Sequence, residues 1–244
     1  MAATILSVES VSRRFGGLTA VDSVSTTVME GQLVGLVGPN GAGKTTFFAL
    51  VGGALRPSAG RLFFQGREVT GWGTEAAAAA GVARTFQVMR PFESMTVLEN
   101  VVVGALLRER SLRAAREQAR GYVELVGLGQ KVNSFGGELS TGQRKRLELA
   151  RAMATRPRLL LLDEVTAGVD QASIPGLVDL IGRVREQGVT LMVIEHNMKV
   201  IMSLADRIVA LHLGRKIADG PPNEVVRDDA VVEAYLGSSY LMPS

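Results

Sequence analysis

Gly38-Pro39-Asn40-Gly41-Ala42-Gly43-Lys44-Thr45-Thr46 follows a short apolar run at residues 32–37 and opens a helical stretch. The segment fits G-x-x-x-x-G-K-[ST] in the strand-to-helix setting that a phosphate-binding loop requires. Its glycines let the backbone curl until successive N–H groups point inward at an anion. The helix from Gly43 adds the positive end of its dipole. At this spacing Lys44 reaches the β- and γ-phosphates of a nucleotide and the Thr45 hydroxyl suits Mg²⁺. Asn40, Gly41, Ala42 and Thr46 complete the cradle.

Working outward, residues 158–162 and 190–194 are further short Leu/Val/Ile runs, closed by Asp163 and Glu195. Near-continuous apolar strands of this kind are buried on both faces, as in parallel sheets. Strands alternating with helices predict an α/β fold, a P-loop NTPase core with a mostly parallel sheet and flanking helices. Residues 5–11 and 23–29 partly alternate, which predicts N-terminal antiparallel strands with one wet face. Between residues 88 and 155 the character turns helical, with helices expected over 97–108, 112–126 and 143–155. The chain therefore reads as one domain over 1–244, with an α/β core at 1–87 and 156–244 and an inserted helical subdomain at 88–155. The alanine run at 76–80 predicts a short surface helix.

Composition sets outer bounds. Apolar residues make up 46% and charged residues 21% of the chain, an ordinary globular balance. Lys and Arg exceed Asp and Glu by only three, too weak a bias to argue for nucleic acid. No cysteine is present, which excludes disulfides and thiolate metal sites. The longest aliphatic run, residues 159–162, is far short of a membrane span, and no secretory leader is visible. A soluble chain is expected, one that reaches a membrane only by docking on another protein.

Two further motifs carry chemistry. Residues 158–164 read RLLLLDE, an apolar strand delivering two carboxylates to the edge of the sheet where α/β folds bind ligands. Asp163 suits Mg²⁺, and Glu164 suits the general base that polarises an attacking water. Leu139-Ser140-Thr141-Gly142-Gln143 then precedes Arg144-Lys145-Arg146 and a helix. Ser140 and the amides near Gly142 stand at a helix N-terminus that can bind an anion. The alternative is an N-cap serine and nothing more.

With these motifs in this order, nearly the whole chain resembles the nucleotide-binding subunits of ABC transporters, whose signature is LSGGQ; Thr141 departs from it. The resemblance implies an ATP hydrolase in which Ser140, Gly142 and Gln143 cap the ATP held by the opposite subunit. It also implies that Gln87 contacts Mg²⁺ or water and that His196 contacts the γ-phosphate. Asp170 falls in the D-loop at the dimer interface, and Phe15 stacks on adenine. For Phe15 a place in the core is the alternative. ARTFQ at 83–87, EHNM at 195–198, ADRIV at 205–209 and AYLG at 234–237 resemble ATPases of branched-chain amino acid importers. That implies import of hydrophobic amino acids or a related amide or acid.

The implied partners are transmembrane permease subunits and a second ATPase subunit, either a copy of this chain or a sister ATPase. A periplasmic or extracellular solute-binding protein acts indirectly, and nucleic acid is not expected. The implied place is the cytoplasmic face of the cell membrane. A soluble ABC ATPase of repair or translation is disfavoured because no second cassette or coiled-coil insertion is present. A P-loop kinase or GTPase would lack the signature and the histidine, and a non-catalytic regulator would not keep Lys44, Glu164 and His196 together. Residues 88–95, with Met89, Phe92 and Met95, are expected to form a groove for a permease helix, or else to pack locally.

Overall fold

The structure is a computed structural model, and it describes residues 2–85 and 91–236. Along the chain run β1 (Thr4–Phe15), β2 (Leu18–Met29), β3 (Leu33–Val37), α1 (Lys44–Val51), β4 (Ala59–Phe64), β5 (Arg67–Glu68) and α2 (Thr74–Ala80). Then come β6 (Val82–Arg84), α3 (Val97–Ala105), α4 (Leu112–Leu125), α5 (Thr141–Ala154), β7 (Leu159–Asp163) and α6 (Ile174–Glu186). The remainder holds β8 (Thr190–Ile194), α7 (Met198–Leu204), β9 (Arg207–His212), β10 (Arg215–Gly220), α8 (Pro222–Val225) and α9 (Asp229–Leu236). This is the α/β fold expected. It divides into two compact units, residues 1–77 with 190–244, and residues 78–189.

In the first unit β3, β8 and β9 are parallel neighbours, with β10 antiparallel on β9. All five residues of β3 and all five of β8 are buried, which accounts for their unbroken apolar sequences. A separate antiparallel sheet runs β2-β1-β4-β5. Its first hairpin is longer than the sequence pattern suggests, because β1 and β2 run on to a Gly16-Gly17 turn that pairs Phe15 with Leu18. Register shifts break the alternation in mid-strand, and Ser10 and Ser23 take positive φ of 47° and 53°. A bulge moves every later side chain to the other face, so period-two reading stops there.

The second unit holds the parallel pair β6–β7 and the helices α3 to α6. Leu159 to Leu162 are each at most 1% exposed, and burying such side chains contributes roughly 2 kcal/mol apiece. Helix α3 opens with a reciprocal capping box between Thr96 and Glu99. Helix α5 begins at Thr141 rather than 143, because Ser140 caps it. Among the described residues no helix is long and apolar enough to cross a membrane.

Candidate functional site

In the first unit, β3 ends at Val37 and the chain turns through the glycine-rich loop into α1. Gly38, Gly41 and Gly43 have φ of 143°, 78° and 98°, a region that side chains disfavour. Two of them are also pressed against backbone. A Cβ on Gly38 would lie 2.1 Å from the Leu211 carbonyl oxygen, and one on Gly43 2.3 Å from that of Ala20. Gly43 is the N-cap of α1 and offers no side-chain cap, which leaves this helix N-terminus suited to an anion. Lys44 is 6% exposed, and its Nζ donates to the carbonyls of Gly38 and Pro39 at 2.7 and 2.9 Å. The cation is thereby folded over the loop it is to serve. Asn40 and Thr45 are exposed, Thr46 is half-buried, and Ala42 is packed inside.

His196 follows β8, the direct parallel neighbour of β3 with Ile194 opposite Leu36. The histidine and the glycine-rich loop therefore leave the same edge of the sheet from adjacent strands. The imidazole is exposed, while Asn197 caps α7 through its side-chain oxygen. Phe15 is 43% exposed and carries the Arg13 guanidinium 4.5 Å from its ring centre. It is not a core residue, and an exposed, cation-faced ring suits stacking on a base.

In the second unit, β7 delivers Asp163 and Glu164. Asp163 is 1% exposed; its Oδ2 accepts from Arg84 Nη2 at 2.9 Å, and its backbone N–H donates to the Thr85 hydroxyl at 3.1 Å. Its buried Oδ1 has no hydrogen-bond partner among the described residues. A buried carboxylate oxygen left bare in this way fits a hydrated divalent cation, because such a group is costly unless something outside the chain pairs it. Glu164 takes φ of 50°, unusual for a residue with a side chain, and its carbonyl accepts from Lys145 Nζ at 2.8 Å. Strained backbone held by a buried cation is a recurrent feature of reactive positions.

Ser140 Oγ accepts from the Gln143 N–H while Gln143 Oε1 accepts from the Ser140 N–H, so these two residues close a capping box on each other. Thr141 is exposed, and Gly142 follows in the first turn of α5. The basic triplet behind them is spent inside the unit. Arg144 donates to Leu139 and Gly137, Lys145 to Glu164 and Arg146 to Val126, all to main-chain carbonyls. Asp170 accepts from Ser173, and that hydroxyl holds its carboxyl below the usual carboxylate range. Gln87 and Met89 lie outside the described residues.

A groove of about 460 Å³ is lined by Ser94, Met95, Glu99, Val102, Val103, Leu112 and Arg116. Met95 lines it as expected, but Phe92 does not; that ring lies 4.7 Å from the Arg151 guanidinium. Behind the groove stands Asn100, 0% exposed, whose side chain accepts the Phe92 N–H and donates to the carbonyls of Phe92, Met95 and Thr96. The sequence signal for it is an amide in the otherwise apolar helix VLENVVVGA. Asn100→Ala removes the acceptor of the Phe92 N–H and one of two donors at each carbonyl, the others being the N–H groups of Met95, Gly136 and Asn100 itself. It lowers stability by about 1–3 kcal/mol. Chemical denaturation that finds under 1 kcal/mol would contradict this role.

A profile of the family "ABC transporter" matches residues 21–167, and one described as "Branched-chain amino acid ATP-binding cassette transporter" matches residues 215–240. The high-affinity branched-chain amino acid transport ATP-binding protein BraF of Pseudomonas aeruginosa is 41% identical, covering 98% of this chain and 100% of its own. LivG of Salmonella typhimurium, similarly described, is 37% identical with the same coverage. The crystal structure of a nucleotide-free ATP-binding cassette from an ABC transporter superposes with a TM-score of 0.88 at 30% identity, over 96% of this chain and 100% of that one.

Proposed function

The chain belongs to the ABC transporter family of ATP-binding proteins, and on that premise we propose that it powers import of branched-chain or related hydrophobic amino acids through a separate permease. The observation that carries the ATPase reading is the Gly38–Thr46 loop. Its positive-φ glycines, helix start without a side-chain cap and loop-folded Lys44 form a phosphate cradle. The solute reading is supported by the names of the relatives and by the match over residues 215–240.

Lys44 and the first-turn amides of α1 hold the β- and γ-phosphates. Thr45, Gln87 and Asp163 are the residues that would hold Mg²⁺, which when bound draws charge off the phosphate oxygens. The bare Oδ1 of Asp163 supports its part in this. Glu164 accepts a proton from the attacking water, and His196 and Gln87 position groups around the γ-phosphate. Phe15 stacks on the adenine. Ser140, Gly142 and Gln143 complete the site of a second ATPase subunit in a head-to-tail dimer, where Asp170 lies at the interface. The helical block at 88–155 passes closure to the permease, whose cytoplasmic side holds the chain at the membrane.

Reconstituting the chain with permease and solute-binding protein tests the proposal. Labelled leucine or valine accumulates in vesicles only with ATP, and solute raises ATP turnover. Vesicles that turn over ATP but ignore every hydrophobic amino acid overturn the solute reading.

The groove beside Met95 is the proposed seat of a permease helix, and Val103 on its wall is 42% exposed. Val103→Lys places a cation in that apolar seat. It also makes a Glu99–Lys pair at i,i+4, worth about 0.3 kcal/mol to α3, so the fold is kept. Transport and permease-stimulated ATPase fall at least about tenfold, the ratio that 1.4 kcal/mol of lost interface energy produces. Full transport by a folded Val103→Lys chain would refute the groove's role.

A further inference from the structure

Tyr235, on the last described helix α9, accepts the Gly38 N–H on its hydroxyl at 2.7 Å. Gly38 is the residue through which β3 becomes the phosphate loop. Its carbonyl is taken by Lys44 Nζ at 2.7 Å, and its Cα faces the Leu211 carbonyl so closely that no Cβ fits. The hinge of the loop is thus held at its amide, its carbonyl and its Cα. The first of these holds comes from a side chain 197 positions away. Burial pushes the Tyr235 phenol up from its ordinary value, so the hydroxyl stays neutral throughout the physiological range. One turn earlier Val231 is 3% exposed and seats the helix.

We propose that Tyr235 is a positioning residue of the nucleotide site, fixing the Gly38 peptide so that affinity for nucleotide depends on the seating of the C-terminal helix. The inference rests on reading Gly38–Thr46 as a nucleotide cradle. Its logic is geometric. The amides of a phosphate loop bind well only when they converge, and an unanchored first peptide lets them splay. It is also reciprocal. Whatever factor seating α9 adds to nucleotide affinity, bound nucleotide must add to the seating of α9.

Tyr235→Phe keeps the ring and deletes the one oxygen. Titration of the purified full chain with ATP and with ADP, each with Mg²⁺, yields dissociation constants about three- to tenfold above wild type for both, as expected for a buried N–H left unpaired. The two shift together because the defect lies in the loop rather than at the γ-phosphate. In turnover the change falls on KM and not on kcat, and the Gly38 amide exchanges its hydrogen faster than in wild type. Val231→Ala is the companion variant, loosening α9 while leaving the hydroxyl in place. If Tyr235→Phe merely lowers Tm, with both dissociation constants and Gly38 exchange unchanged, Tyr235 is structural and the proposal falls. Val231→Ala weakens binding of both nucleotides as well. A Val231→Ala chain that lowers Tm yet binds them as wild type does shows that seating of α9 does not govern affinity and defeats the proposal too. Wild type is titrated alongside: tight binding by wild type and equal binding by Tyr235→Phe defeats this inference alone. No binding by wild type defeats the nucleotide reading and this inference with it.

Discussion

Glu164→Gln binds ATP as tightly as the parent chain and turns it over about 10²–10⁴-fold more slowly, the usual cost of removing a general base. The side chain follows Asp163 at the end of β7, and its backbone is held in the left-handed region at φ 50°. Such a conformation costs roughly 1–3 kcal/mol and persists only when its surroundings impose it. Lys145 supplies part of that hold, donating to the Glu164 carbonyl from a side chain that is itself 6% exposed. Because Lys145 holds the backbone carbonyl, replacing a carboxylate oxygen by an amide nitrogen leaves that hold in place. The variant therefore retains nucleotide and accumulates as a nucleotide-bound dimer, visible by size-exclusion chromatography with ATP. Phosphate release within about threefold of the parent would remove Glu164 from the catalytic role.

The sequence carries those parts of the site that are written in consecutive residues. The loop at Gly38–Thr46, the strand ending in Asp163 and Glu164, and the capped helix at Ser140 are each local, so spacing and side-chain type reveal them. The antiparallel hairpin was only partly legible, since positive φ at Ser10 and Ser23 accompanies register shifts that no alternation reports. Contacts between distant positions left even less trace. Arg84 meets Asp163 across 79 positions and Tyr235 meets Gly38 across 197, and although ARTFQ and AYLG carry the family resemblance, nothing in either segment reports these contacts. For Phe15, sequence allowed both a core and a stacking role, because an aromatic at a strand end suits either. Its 43% exposure decides against the core. Asn100 is the opposite case: a polar amide in the apolar face of a helix is a visible anomaly, and burial turns it into the pin of the loop before α3.

Lys44→Ala separates binding from folding. In the parent chain the ammonium is nearly buried and satisfied by the carbonyls of Gly38 and Pro39. Its removal has two opposed effects on stability. Two hydrogen bonds to charged nitrogen are lost, each worth about 1.5–3 kcal/mol, while the cost of keeping a cation out of water disappears. The two effects offset each other in part, so the variant stays folded. Binding has no such compensation. The phosphates lose the one flexible cation the loop can aim at them, and charge-assisted bonds are the strong ones. A loss of about 1.5–3 kcal/mol corresponds to roughly ten- to a hundredfold weaker ATP binding, with turnover falling at least as far. Lys44→Arg does not restore it, because a planar fork does not fit where a compact ammonium reaches two adjacent carbonyls. Calorimetric titration of Lys44→Ala that returns the parent's affinity would mean that the phosphates are held elsewhere.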